Sequence, residues 1–349
     1  MSARCYLFAM RAASGILFAR LRARRAGAAD SPAPLHYGRV MVPAVSVILP
    51  VYNRPAYLRA AIDSVRRQSF TAWELLIVDD GSDDAATLAI LSEQTDERIR
   101  VLRLAHVGLP AVVRNAGLSE ARAEYVAFLD SDDRWLGDKL ARQVDAMRAR
   151  PECGWSYGPI RRVDEDGSLL GDDGIQKYVP HDREMVHRLL RIDALVAMPS
   201  VMMRRELAEL LGGFDATLRY CEDYDLWIRA AMRSDVVVLE SALAEVRVHR
   251  DNYSSDRLGV HRSWVELFDK YSRHAPSAAT RRIARRRKAV SALAVATLLS
   301  QTAGGRGEAL QILRRHGPRL LLDPSKWSAV IGLLARLLPR NPFRSRRRW

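Results

Sequence analysis

The sequence predicts an α/β fold: a mostly parallel, Rossmann-like sheet covered by helices, followed by a helical C-terminal extension. Three observations carry that prediction. Short runs that are apolar throughout, at residues 45–49, 75–78, 99–104 and 125–129, alternate with helical patterns. Strands of that kind are buried on both faces, which is the condition of a parallel sheet between helix layers. The residues that end these strands are polar, and in open parallel sheets ligands sit along that carboxyl edge.

The first strand, 45–49, ends in Pro50, Val51, Tyr52 and Asn53. Asn53 is placed to cap the next helix, Pro55 falls in its first turn, and Leu58, Ala61, Ile62 and Val65 share one face. The second strand stops at Asp79, Asp80, Gly81 and Ser82, with Ser82 as cap of a helix running to Leu91. The third is followed by a loop at 106–110 and a helix carrying Arg114 and Asn115. The fourth runs into Phe128, Leu129, Asp130, Ser131, Asp132 and Asp133. Next come a helix over 139–149, a strand over 155–158, and a hairpin over 163–170 that turns at Asp164, Asp166 and Gly167. A polar loop at 171–181 is expected to cover the site. A strand at 201–203 and a helix from Arg205 to Gly212 and Gly213 follow, then a helix opening at Glu222 and a strand from 246 ending in a polar turn through Ser254.

The run Asp130, Asp132, Asp133 is the chemical focus. Two like charges about 4 Å apart repel by roughly 4 kcal/mol at an effective dielectric near 20. The cluster must therefore be solvated, partly protonated or bound to a cation, and a hard divalent ion with oxygen ligands is one such relief. A solvated strand-to-helix turn with Asp133 as cap is the other reading of the isolated run. What that second reading leaves unexplained is the recurrence of polar groups at three successive strand ends.

With 349 residues, 48% of them hydrophobic, the chain can bury a large core. Its net charge of +14 is unevenly spread: residues 41–280 carry 31 Lys and Arg against 38 Asp and Glu, so the basic excess lies in the two flanks. An acidic body with basic ends argues against nucleic acid as partner and toward an anionic surface such as a membrane leaflet. Cys5, Cys153 and Cys221 form no framework and fit a reducing, cytoplasmic compartment. No run reaches the 18 to 20 apolar residues, roughly, that span a bilayer. Residues 1–43 read as a basic lead and linker, with Met41 as an alternative start, and residues 276–349 as a basic helical extension that could contact the inner face of the membrane.

Taken in order and spacing, residues 45–53, the turn 78–82, Arg114 with Asn115 and Gly117, and residues 128–133 resemble the nucleotide-sugar-binding half of a family 2, GT-A-type glycosyltransferase. The resemblance extends over about residues 44–255 and implies a GT-A domain at 44–275, divided into a donor half at 44–135 and an acceptor half at 136–275. It implies an inverting transferase of hexosyl type, active in polysaccharide or glycolipid synthesis on a saccharide or lipid-linked acceptor. Pro50, Tyr52 and Asn53 would lie along the nucleoside, Asp80 would meet the base with Asp79 supporting its turn, Arg114 would reach the nucleotide or its phosphates, and Asp130 would hold the ribose side. Asp132, with Asp133 and His249, would bind the Mg²⁺ or Mn²⁺ that bridges the diphosphate. Asp223 is the base that the resemblance implies, with Asp225 as its understudy and Glu222 and Trp227 on the acceptor side.

From the residues alone, Glu222 and Asp223 are also acids favoured at a helix N-terminus. His249 is also a structural histidine. A non-catalytic nucleotide-sugar-binding homologue and an α/β phosphatase or phosphotransferase are the alternative functions. The phosphatase reading expects D-x-D followed by Thr, where the chain has Asp133 and Arg134, and there is no G-x-x-x-x-G-K loop.

Overall fold

The computed structural model describes residues 42–171, 184–250, 252–320 and 324–337. The expectations for residues 1–41, for the loop from 172 to 181 and for the arginine-rich stretch after 337 lie outside the described residues.

Four parallel strands form the first half of the main sheet: β1 (Val45–Val51), β2 (Trp73–Asp79), β3 (Ile99–Arg103) and β4 (Tyr125–Phe128). Between them lie α1 (Pro55–Arg66), α2 (Ala85–Ser92) and α3 (Pro110–Glu120). Alternate residues supply two separate cores. Ile48, Leu76, Val78, Val126 and Phe128 pack on one face, and Val47, Leu49, Leu75, Ile77 and Ala127 on the other. That division is why these strands read as apolar throughout.

The second half adds β5 (Arg134–Trp135), α4 (Lys139–Ala149), β6 (Cys153–Tyr157), β7 (Ile160–Val163), α5 (Met185–Arg191), β8 (Met202–Arg204), α6 (Arg205–Leu210), α7 (Glu222–Ala231), β9 (Asp235–Val238) and β10 (Ala244–Arg247). The main sheet runs β3-β2-β1-β4-β8-β6-β9, and β8 is antiparallel to both its neighbours. A second sheet, β5-β10-β7, stands beside the Asp130 to Asp133 turn. Three long helices follow, α8 (Arg257–His274), α9 (Ala278–Leu299) and α10 (Arg306–Leu320), then α11 (Trp327–Leu337). No helix among the described residues is long and apolar enough to cross a membrane.

Several sequence expectations need correction. Asn53 does not cap α1; Arg54 holds that position without a side-chain cap bond. Asp84, not Ser82, caps α2 by accepting from Thr87 N. In the helical extension, the basic run 281–288 and residues 289–299 form one 22-residue helix, and Pro318 lies inside α10. α8 had not been expected, because its buried positions mix Ser263 and Ser272 with Leu267, Phe268 and Tyr271.

Gly117 permits α3 to lie against the sheet: a Cβ there would stand 2.7 Å from Ile48 Cγ2 and 3.0 Å from Val78 Cγ2. Gly117→Val should therefore lower unfolding stability by about 1–3 kcal/mol. Urea titration checks this, and an unchanged midpoint would mean that α3 can lift from the strands at no cost.

Candidate active site

A cleft of about 560 Å³ opens at the carboxyl edge of the main sheet. β1 delivers Pro50 and Tyr52 to it, β2 Asp80, α3 Arg114, the turn after β4 Asp130, Asp132 and Asp133, and the start of α7 Glu222 and Asp223. Nine of the residues singled out from sequence thus meet in one cavity.

The residues at the ends of β1 and β2 form a splice between adjacent turns. Asn53 adopts φ 44, a left-handed geometry that Asn tolerates. Its Oδ1 accepts from Asp83 N and Asp84 N at 3.1 and 3.0 Å, and its backbone N donates to Ser82 Oγ. Asp79 is fully buried, accepting from Ser82 N and Arg103 Nε. Neither Asn53 nor Asp79 lines the cleft: they hold its wall. Asp80 accepts from Val107 N and Gly108 N at 2.9 and 2.8 Å, which draws the 106–108 loop over it. That loop brings His106 flat against Tyr52, with ring centroids 4.0 Å apart. Sequence reasoning gave His106 no role, although its place after a strand end was a usable signal.

Arg114 is buried and bridges two carboxylates, donating to Asp130 Oδ1 at 2.7 Å and to Glu222 Oε1 at 2.6 Å. Burial works against its charge, but Asp130 and Glu222 outweigh that and hold the guanidinium above its ordinary value. Its Nε has no hydrogen-bond partner among the described residues. The expected reach toward phosphate is thus limited by two internal ion pairs. Asn115, beside it, grips the backbone N and O of Phe214, both at 2.8 Å, and so fixes the turn before α7.

Cys221 precedes α7 in a left-handed conformation, φ 63, and turns the chain so that Glu222 and Asp223 open the helix at the cleft. Asp223 is half-buried, and its Oδ1 accepts from Tyr224 N at 2.6 Å. Burial, then the adjacent Glu222 carboxylate, push the Asp223 carboxyl up to about 7. Asp225 is no understudy: it is fully buried and held by Arg229, Lys270 and Tyr271. Trp227 also departs from expectation. It is fully buried, stacked on Trp155 with centroids 5.9 Å apart, so it packs the core rather than facing an acceptor.

At the other end, Asp132 Oδ2 lies 3.0 Å from His249 Nε2. His249 stands behind Asp132 and does not line the cleft. Asp133 is buried, accepts from Arg247 N at 2.9 Å, and is pushed well above the usual carboxylate range by burial and by Asp132 and Asp130. Arg247, unpredicted, secures this turn by donating to Asp132 O at 3.2 Å and to Asp164 O at 3.0 Å. Ile192, Leu195, Val260 and Trp264 form an apolar wall on the side of Asp223, from segments whose irregular patterning gave no signal.

A mostly parallel sheet covered by helices, with a cleft at its carboxyl edge lined by acids, is the GT-A type of fold. The same fold occurs in TarS of Staphylococcus aureus (residues 1–349), solved with UDP-GlcNAc, at TM-score 0.53 and 18% identity over 84% of this chain and 80% of that one. It occurs also in a mannosyltransferase of Pyrobaculum calidifontis in complex with GDP-Man and Mn²⁺, at TM-score 0.54 and 19% identity over 85% and 86%. In sequence, the chain is 33% identical over 218 residues to TuaG of Bacillus subtilis, named for teichuronic acid biosynthesis, covering 62% of this chain and 83% of TuaG. It is 29% identical over 228 residues to the Escherichia coli UDP-Glc:alpha-D-GlcNAc-diphosphoundecaprenol beta-1,3-glucosyltransferase WfgD, covering 64% and 85%. The model of Glycosyl transferase family 2 matches residues 46–211. The chain belongs to that family and is a glycosyltransferase.

The raised Asp223 carboxyl predicts a pH signature. Between its ordinary 3.8 and about 7 the folded chain binds this proton more tightly than the unfolded chain. The resulting stability is fully present below the lower value and is lost as pH rises through the upper. The Tm of metal-free protein should decline across that window, and Asp223→Asn should flatten the decline. Parallel pH curves for both proteins would mean that the carboxyl ionises normally.

Proposed function

We propose that the protein is an inverting, metal-dependent hexosyltransferase that moves a sugar from a nucleotide diphosphate donor to a hydroxyl of a saccharide or lipid-linked acceptor, in cell-surface polysaccharide or glycolipid synthesis. The observation that carries this reading is the shared cleft: Asp223, with a carboxyl near neutrality, opens into the same cavity as Asp132 and the Tyr52 slot. The nucleobase lies at Tyr52 and Asp80, and Asp130 meets the ribose side.

Asp223 takes the proton of the acceptor hydroxyl as that oxygen bonds to the anomeric carbon. The bond from that carbon to the diphosphate breaks on the opposite side, and the nucleoside diphosphate leaves with the electron pair. Glu222 is held by Arg114, so it steadies the helix start and raises the basicity of Asp223 rather than acting itself. The apolar wall beside Asp223 suits the aglycone of a lipid-linked acceptor, in keeping with the diphosphoundecaprenol in the name of WfgD.

The donor set near the diphosphate position fits a divalent ion incompletely. Among the described residues no group of three His, Cys, Asp or Glu side chains converges as a metal site. Asp132 is the carboxylate that would hold Mg²⁺ or Mn²⁺, with His249 orienting it and Asp133 supporting the turn, and phosphate oxygens and water would supply the remaining ligands. When bound, such an ion neutralises charge on the leaving diphosphate. The Mn²⁺ in the complex of the Pyrobaculum mannosyltransferase supports this choice of ion.

The extension supports a peripheral contact with an anionic membrane face. On α11, Trp327, Ile331 and Leu334 are exposed at one-face spacing, while Val330, Leu333 and Leu337 are buried. An apolar stripe beside basic helices matches an interfacial helix. Ile331→Asp should reduce flotation with phosphatidylglycerol vesicles; undiminished flotation would remove the membrane from this reading.

Thermal stabilisation by UDP-, GDP- and dTDP-sugars with Mn²⁺ identifies the donor. With that donor, Asp132→Ala should abolish metal-dependent turnover. Asp223→Asn should keep donor stabilisation and lose about 10²- to 10⁴-fold in rate, the usual share of a general base. Ordinary turnover by Asp223→Asn would move the base elsewhere, and retention of anomeric configuration in the product would refute inversion.

A further inference from the structure

The C-terminal helices enclose a second cavity, of about 600 Å³, whose lining has nothing in common with the cleft. α9 contributes Arg281, Arg285 and Lys288 at i, i+4 and i+7, and α10 contributes Arg315 and His316. Asp269 of α8 is the single carboxylate among the lining residues. It is already engaged by Lys288 Nζ and by Arg273 Nη2, each at 2.5 Å. Arg281 lays its Nη1 against the carbonyls of Ala275 and Pro276 at 2.7 and 3.0 Å. Arg285 and Arg315 enter no ion pair among the described residues. His316 is 7% exposed and Lys288 has a 12% exposed side chain, so the hollow has a buried basic floor and arginines at its rim.

Like charges one turn apart on a helix repel, and among the described residues lining the hollow no second carboxylate compensates Arg285 and Arg315. Guanidinium groups converging from two helices on a polar hollow match the oxygens of a phosphate, which they bind bidentately. We propose that this cavity is a phosphate-binding site, taking the phosphate mono- or diester of a lipid headgroup or of a soluble metabolite. It is an open hollow lined by three helices rather than an extended basic stripe, and the body of the chain is acidic, so a nucleic-acid backbone is a poor match. The site lies outside the family match at 46–211 and does not depend on the reading of the cleft.

The test uses the full chain in EDTA, which removes any divalent ion from the cleft. Inorganic phosphate and glycerol phosphate are titrated against wild type, Arg285→Gln/Arg315→Gln and Asp132→Ala, by Tm and calorimetry. Both arginines are exposed, so the double variant should keep its phosphate-free Tm and its donor turnover. Wild type and Asp132→Ala should be stabilised alike, and the double variant should bind about tenfold or more weakly, the weight of a lost charge-assisted pair. Co-sedimentation with phosphatidylglycerol and phosphatidylcholine vesicles separates the sources. Loss of phosphatidylglycerol binding in the double variant, with competition by soluble phosphate, assigns the site to a headgroup. Equal sedimentation of both proteins, alongside a weakened response to soluble phosphate, assigns it to a metabolite. Absence of any phosphate response together with equal vesicle binding overturns the proposal, as would a response equal in the double variant or lost in Asp132→Ala.

Discussion

One guanidinium ties together segments far apart in this chain. Arg114 rises from α3, and each end of its planar fork is taken by a carboxylate from a different part of the chain, Asp130 after β4 and Glu222 at the start of α7. Removing one member of a buried ionic set leaves the others uncompensated, at a typical cost of about 3–5 kcal/mol. The arrangement therefore constrains more than it stabilises. With Arg114 in place, Asp130 cannot turn away from the cleft and Glu222 cannot carry the head of α7 elsewhere. Asp223, the proposed base, inherits its position from the head of α7, and its raised proton affinity comes from burial first and from the Glu222 carboxylate second.

The remaining acids are held in the same manner, each by backbone donors or a base from a distant element. Asp80 takes two amides of the 106–108 loop, Asp133 takes the amide of Arg247, and Asp132 faces His249. The second sheet, β5-β10-β7, has the consequence of bringing β10 beside the 130–133 turn. Carboxylates that would repel one another are fixed at separate depths, so that the cleft presents a preformed surface.

The α/β class was legible because parallel strands must be apolar on both faces, and the alternation of Ile48 and Leu49 between two cores is that requirement made visible. The carboxyl edge was legible for a related reason: three strand ends in succession carried polar residues that no core would accept. What sequence could not supply was the distinction between residues that face a cavity and residues that brace it. Asn53, Asp79 and His249 share the polarity and spacing of their neighbours, yet spend their hydrogen bonds inside the wall. Trp227 follows the acidic run by two residues and still turns inward, since the far side of a helical turn meets Trp155. Arg247 and His106 act through partners more than 25 positions away, a separation that local pattern does not report.

Asp225 ties this arrangement to the helices that follow. Its buried carboxylate binds Lys270 and Tyr271 of α8 as well as Arg229 of its own helix, so α7 is bolted to a segment that begins at residue 257. The family match ends at 211, upstream of α7 and α8 alike. A graft swapped at that boundary would keep α7 with α8 but part both from Arg114 and Asn115, which hold Glu222 and the Phe214 turn. The link after residue 274 is no better seam, because Lys288 of α9 is paired with Asp269 of α8 and Ala284 packs into the main core, so these helices travel with the body that precedes them.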